Sequence, residues 1–362
     1  DEALKNQENC IDDDRVDMFL IEADYAGKYV KSDYTLDVQK DVGLTESDMQ
    51  DQYTYTKEIV NNDGIQKGVT WQATPGLFAY RRSIAKQVLG TDDPDEVQKQ
   101  LSDWNKFDAV AKEMHDAGYY MLSGYDDAYR TFSNNVSSPW VKDNKIVIDP
   151  SIQQWITQTK EYAQNNYCNH TTLWSPQWSQ DQGPEGKVFG FFYSTWGINF
   201  TLMGNALEDA NAPAEKGNGI YGDYAVCEGP QAYYWGGTWM CAAAGSDNIP
   251  FIHDLMYRLT CDQKTMKQIT LDTQDYANDQ KAMEELAQSD YSSDFLGGQN
   301  HIALFAEAAK KIDMSNISDY DKDCNELIQK ALHPYFDGKI TLEEGMADFY
   351  KQMETLYPEL KE

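Results

Sequence analysis

The apolar run from Val16 to Ile21, inside RVDMFLIEADYAGKYV, stops at Glu22, Asp24 and Tyr25. Such a run, with polar and aromatic groups directly behind it, predicts a buried strand whose C-terminal end delivers side chains to a crevice, as in open α/β sheets. The pattern recurs at KVFGFFYSTWG, where an apolar strand ends in Ser194, Thr195 and Trp196. Between them, GVTWQATPGLFAYRRSIAKQVLG holds two short apolar stretches around Thr74-Pro75-Gly76, then a helix after Arg81 closed by Gly90. Trp71 and Tyr80 sit where strands would border a shared crevice. In LSDWNKFDAVAKEMHDAGYYMLSG, Ser102 or Asp103 caps a helix with Trp104, Phe107, Val110, Ala111 and Met114 on its apolar face. Gly118 ends it and a strand at Tyr119 to Leu122 completes a strand-helix-strand rhythm.

Periodicity breaks from Ser123 to Pro139, which makes this stretch the expected first crossing between two domains. Asp149-Pro150-Ser151 opens a helix with Ile152, Trp155, Ile156 and Thr159 on one face. NIPFIHDLMYRLTCDQKTMKQI and NDQKAMEELAQ read as helices, and another starts near Asn300. The tail has a capping box at Thr341 and Glu344 ahead of an apolar stripe of Met346, Phe349, Met353 and Leu356. No tandem repeat or long low-complexity linker interrupts the chain, so two α/β lobes sharing several crossings fit the pattern.

Composition narrows the partners. The 362 residues carry 30 Lys plus Arg against 60 Asp plus Glu, a formal charge of -30. Such a surface repels nucleic acid and anionic lipid, both of which need clustered cations. No apolar run approaches the ~20 residues of a membrane span. The six cysteines include no CxxC pair and the histidines are scattered, so neither a structural metal site nor a cofactor is expected. An even cysteine count suits an exported protein, with Cys227 and Cys241 the candidate bridge because turn signals between them could bring the chain back beside itself. HExxH, GxxxxGK[ST], GxSxG and a dinucleotide fingerprint are missing. DDDRVD, from Asp12 to Asp17, lacks the glycine and closing glutamate of an EF-hand loop. Neighbouring carboxylates such as Asp126 and Asp127 do not provide the separation across a sugar bond that glycoside hydrolysis needs.

The aromatic inventory points elsewhere. Nine tryptophans and 24 tyrosines, many outside helical periodicity, offer flat apolar plates with polar rims. YYWGGTWMC, from Tyr233 to Cys241, sets four rings around a glycine pair, either as a binding wall or as a tight core corner. The C-H face of a pyranose can lie on such a plate while carboxylate, amide and guanidinium groups bond its hydroxyls.

In their order along the chain, VDMFLIEADYAGKYV, WQATPGLFAYRRSIAKQVLG, WNKFDAVAKEM, YSTWG, YYWGGTWMC and TLEEGMADFYKQM resemble the bacterial extracellular solute-binding proteins of carbohydrate-uptake ABC transporters, the maltose-binding-like group. The resemblance implies a two-lobed α/β fold of the periplasmic-binding-protein type II kind, with a ligand cleft between lobes and a multi-crossing hinge. Residues 1–123 and 241–300 would form one lobe, and 124–240 and 301–362 the other. It further implies a monomer that binds an oligosaccharide, malto-oligosaccharide first among the candidates, and hands it to permease subunits without bond cleavage. Glu22, Asp24 and Tyr25 match the acidic loop after a strand, Trp71 a cleft-facing strand, and Tyr125 and Asp126 the entry to the second lobe. Trp196 matches the aromatic after YST, and Trp235 and Trp239 the stacking wall, with Tyr80 and Arg82 as further ligand or hinge residues.

Members of the group begin with a strand and a helix ahead of the segment aligning with DEALKNQENC, so an N-terminal piece of about 30 to 60 residues is expected beyond it. That piece would carry a lipid-anchoring cysteine, placing the protein on the outer face of the cell membrane, or in the periplasm of a cell with two membranes. A cell-surface glycan-binding scaffold and a glycoside hydrolase are the competing readings.

Overall fold

The computed structural model describes residues 2–11 and 14–360. Asp12 and Asp13 of the acidic run therefore lie outside the described residues. The strands are β1 (Met18–Glu22), β2 (Asn61–Asn62), β3 (Ile65–Gln66), β4 (Gly76–Arg81), β5 (Leu122–Gly124), β6 (Val141–Lys142), β7 (Lys145–Ile146), β8 (Cys168–Thr171), β9 (Gly190–Ser194), β10 (Tyr224–Cys227) and β11 (Thr238–Ala242). Two sheets matter for the site. In the first, β1 runs antiparallel to β11, from Met18 opposite Ala242 to Glu22 opposite Thr238. Val69 bridges Met240 on the far side, over a small core of Val38, Leu44, Met49, Ile252 and Met256.

The second sheet has the order β10-β4-β9, antiparallel throughout. Every residue of β4 is buried because the strand is flanked on both edges and covered on both faces, which explains why its sequence shows no polar alternation. A bridge from Tyr120 to Val188 continues this layer toward the parallel pair β5 and β8. The helix Trp104–Asp116 packs Phe107, Val110, Ala111 and Met114 inward, with the Asp103 carboxylate accepting from Lys106 N. Helix Pro150–Gln164 starts at an Asp149 cap, and helix Leu342–Leu356 forms both halves of its capping box. These starts follow the local chemistry expected from the sequence.

The chain passes between the two sheets at Thr74–Gly76, antiparallel to Tyr233–Gly237. Gly76 N donates to Tyr233 O at 2.6 Å, Trp235 N to Thr74 O at 3.1 Å, and Thr74 Oγ1 to Gly236 O at 3.0 Å. The Tyr233 ring lies directly on Gly76, and its hydroxyl donates to the carbonyls of Leu77 and Tyr193. YYWGGTWMC is thus a core corner, with the rings of Tyr233, Tyr234, Trp235 and Trp239 all buried.

The break from Ser123 to Pro139, expected as a crossing, instead belongs with the second sheet: Ser123 and Gly124 lie on β5, and Tyr129–Ser133 is a helix packed on Pro150–Gln164. β4, placed by sequence in the same lobe as β1, pairs on both edges with strands placed in the other lobe. We propose that the lobe division runs through Thr74–Gly76 and Tyr233–Gly237. Cys227 and Cys241 are not bridged. They are buried free thiols on β10 and β11, because the intervening segment passes from one sheet to the other and does not fold back.

A Cβ on Gly76 would sit 2.3 Å from Tyr233 Cζ. Gly76→Ala is expected to destabilise the protein by about 3 kcal/mol, and Tyr233→Leu in the same chain to recover part of that loss. Urea melts of the single and double variants check this; equal stability of Gly76→Ala and the parent would refute the close approach.

Candidate functional site

β1 ends at Glu22, whose Oε2 accepts from Asp24 N at 2.8 Å and so caps the short 3-10 turn Ala23–Tyr25. Ala23 N donates to Gly237 O at 3.1 Å, tying that turn to the glycine pair. Asp24 is then gripped in a fork by Arg130, with Nη1 to Oδ1 at 3.1 Å and Nη2 to Oδ2 at 2.6 Å. Arg130 comes from the helix Tyr129–Ser133, on the second-sheet side, so the ion pair joins the two halves. The guanidinium also lies 5.5 Å from the Trp235 ring centroid, within cation-π range.

Indole rings gather beside this pair. Trp196 stands edge-on to Trp235 at 5.5 Å and donates its Nε1 proton to Trp235 O at 2.8 Å. Trp174 lies 6.2 Å from Trp196 with planes only 17° apart, and 5.9 Å from Trp235. Its other neighbour is the buried Trp178, at 5.1 Å. Trp174 is 52% exposed and has φ of 65°, a conformation bulky side chains rarely adopt and one associated with functional sites. Directly after Trp196 the chain makes a π-helical turn, Ile198–Leu202, that leaves Phe200 77% exposed against the Trp196 ring.

The electrostatics divide the two carboxylates. Burial, together with the neighbouring Asp24 charge, pushes Glu22 up to about 7. Burial acts on Asp24 in the same direction, but the charge and hydrogen bonds of Arg130, with the charge of Lys322, prevail and hold it below the usual carboxylate range. Asp24 is therefore a fixed ion, and Glu22 a carboxyl poised near neutrality. The two carboxylates stand two positions apart in the chain and are joined through Asp24 N.

The sequence-expected residues separate into groups. Glu22, Asp24, Trp196 and Trp235 converge, and Tyr25 borders them, half exposed under Lys322 Nζ at 5.0 Å. Trp71 is partly buried against the core beside β11. Tyr80 is a core residue whose hydroxyl donates to Asp92 O, and Arg82 braces loops through Asp92 O, Leu296 O and Tyr224 O. Trp239 is buried with its Nε1 donating to Thr56 O at 2.9 Å, because strand alternation turns it inward. Tyr125 bonds His170 and Asp337, and Asp126 meets His333 at 2.6 Å, so both are fixed to the C-terminal helical region. Trp174, Phe200 and Arg130 were not singled out by sequence. Trp174 precedes the Ser175-Pro176 helix start and Arg130 sits in a stretch without periodicity, leaving no local pattern to mark either. Among the described residues no cluster of three or more His, Cys, Asp or Glu could hold a metal, and no helix is long and apolar enough to cross a membrane.

Two outcomes are expected. Because the folded pKa of Glu22 lies above its unfolded value, the folded state binds more protons between about pH 4.5 and 7, and this group's contribution to stability falls as pH rises through that window. Glu22→Gln should therefore raise Tm by about 1–3 °C at pH 8 and leave it nearly unchanged at pH 4; a Tm difference independent of pH would contradict the assignment. Arg130→Met, which strips the partner from Asp24, should cost roughly 1–3 kcal/mol in a urea melt, with part regained in Asp24→Asn/Arg130→Met.

Comparison with known proteins agrees with this architecture. Residues 4–250 match the sequence profile of the bacterial extracellular solute-binding proteins. No curated protein sequence matches the chain. Among solved structures, an extracellular solute-binding protein of family 1 superposes with a TM-score of 0.79 at 15% identity, covering 97% of this chain and 89% of that one. An ABC-transporter-associated binding protein from B. animalis subsp. lactis, in complex with beta-1,6-galactobiose, gives 0.72 at 18% identity, covering 99% and 90%. The galacto-N-biose/lacto-N-biose I-binding protein from Bifidobacterium longum, in complex with lacto-N-biose, gives 0.72 at 13% identity, covering 99% and 86%. The fold is the two-lobed α/β fold of these binding proteins, and the chain belongs to the bacterial extracellular solute-binding protein family.

Proposed function

We propose that this chain binds an oligosaccharide outside the cell and delivers it to the permease of an ABC importer, with malto-oligosaccharide the first series to test. The observation that carries this reading is the exposed Trp174 and half-buried Trp196, packed against the buried Trp235 beside Glu22 and the Asp24–Arg130 pair. Such rings cover the C-H faces of sugar units, and charged groups at their edge bond hydroxyls in the ring plane. Several plates favour a ligand of more than one unit. Two of the structural neighbours described above hold disaccharides, which supports the class without naming the sugar. Contacts from both lobes would shift an open–closed equilibrium toward closure, the form a permease reads.

A thermal-shift screen against malto-, xylo-, manno- and fructo-oligosaccharides, beta-1,6-galactobiose and lacto-N-biose is expected to show a rise of several degrees with one series, since a ligand of the folded state stabilises by mass action. Trp196→Ala and Trp235→Ala should then weaken calorimetric affinity by about tenfold with an unchanged circular dichroism spectrum. No shift with any saccharide would move weight to the scaffold reading.

A further inference from the structure

The segment that follows β1 starts at the crossing, where Ala23 N donates to Gly237 O, and from there makes a row of charged contacts with the second-sheet side. Asp24 takes the Arg130 fork. The Tyr25 ring carries Lys322 Nζ at 5.0 Å from its centroid, and Lys31, which closes the helix Ala26–Val30, pairs with Asp319. Between these points a Cβ on Gly27 would stand 3.3 Å from Asp319 Oδ1, so the two segments are in direct contact.

Each end of the row is fixed to its own sheet. On the first side, Tyr29 packs on Phe19 of β1 at 5.6 Å, and Thr35 donates its hydroxyl to Tyr29 O at 3.0 Å while bridging Ala243. On the second, Arg130 belongs to the helix Tyr129–Ser133, and Asp319 and Lys322 flank the start of the helix Asp321–Phe336. That helix is anchored by Tyr129 Oη to Asn325 Oδ1 at 2.6 Å, by Trp140 Nε1 to the same oxygen at 3.0 Å, and by His333 Nε2 to Asp126 Oδ1 at 2.6 Å. Ser318 N donates to Asp321 Oδ1 at 3.0 Å and holds the turn that presents Asp319. Lys322 also pairs with Asp323 and Glu326 on its own helix, so it reaches Tyr25 as part of a network.

In a chain of net charge -30, self-repulsion opposes a compact state, and this seam sets Arg130, Lys322 and Lys31 against it. One exposed ion pair moves an equilibrium only a few-fold, but contacts along one rigid segment make and break together, so their effects combine. Rotation about the crossing displaces each contact in proportion to its distance from Ala23, which makes Lys31 and Asp319 the pair that must part most. Their side chains are 52% and 50% exposed, so salt reaches them. We propose that this row is a charge latch that holds the two lobes together before any ligand arrives, with Asp24–Arg130 innermost and Lys31–Asp319 outermost. The proposal rests on the two-lobed binding reading and adds that closure does not require sugar: ligand entry waits on the latch opening, and screening of the row favours entry.

Small-angle scattering of the ligand-free protein tests the latch without reference to any sugar. Raising salt from about 0.01 M to about 1 M shortens the Debye length about tenfold and is expected to increase the radius of gyration of the parent by on the order of 1 Å. Asp319→Lys, which sets two ammonium groups face to face, should show the expanded radius already at low salt. The swap Lys31→Glu/Asp319→Lys restores opposite charges in reverse order and should return the compact value. Circular dichroism checks that each variant is folded; should Asp319→Lys not fold, Asp319→Asn, which removes only the charge, carries the same comparison. A low-salt radius that ignores loss or reversal of the Asp319 charge overturns the proposal, whatever salt does to the parent. Expansion that the swap does not reverse overturns it too, because the pair is then not its cause. Neither result bears on saccharide binding, which the thermal-shift screen decides separately.

Discussion

The close passage of two chain segments, Thr74–Gly76 beside Tyr233–Gly237, is the constraint from which the rest of the architecture follows. One segment leaves the β1–β11 sheet to become the central strand β4, and the other leaves the second sheet to become β11. Their mutual hydrogen bonds satisfy backbone groups that would otherwise be stranded at a buried crossing. The Tyr233 ring can rest on this crossing only because position 76 has no side chain. Once the crossing is fixed, Gly236 and Gly237 deliver Trp235 to one side and Trp239 to the other, and the turn after β1 is bonded in place through Ala23 N.

Charge in the cleft is arranged with equal economy. Arg130 grips Asp24 with both arms of its planar fork, while on Glu22 its charge acts only at a distance and burial prevails. The grip locks Asp24 as a link between halves and leaves Glu22 as the responsive group. The same cation also faces Trp235, so the pair orients the ring while joining the lobes. The asymmetry between Glu22 and Asp24 is the chemical character of the site.

Much of the local structure was legible because its causes are local. The helices beginning at Trp104, Pro150 and Leu342 follow caps at Asp103, Asp149 and Thr341 that bond their own first turns. The apolar runs ending at Glu22 and Ser194 became β1 and β9, and Glu22 and Trp196 come together beside Gly236. The passage between the two sheets was less accessible: the loss of periodicity after Ser123 marks a stretch of short irregular elements, whereas the passage at Thr74–Gly76 hides inside an apolar pattern. Tyr80 and Trp239 read as cleft residues for the same reason, since an aromatic in a strand looks alike whether its face meets ligand or core.

By itself, then, the sequence determined the acidic, aromatic-rich character of the chain, the two-lobed α/β reading, and the resemblance that the family match bears out. Those properties depend on composition and on contacts a few residues apart. Only the tertiary structure decided which rings meet and which carboxylate Arg130 grips. Trp174 meets Trp196 and Trp235, and Arg130 meets Asp24 across 106 positions of chain, through contacts set by sheet order and crossing geometry. No local pattern encodes such meetings, because their energy is gained only after the whole fold has closed.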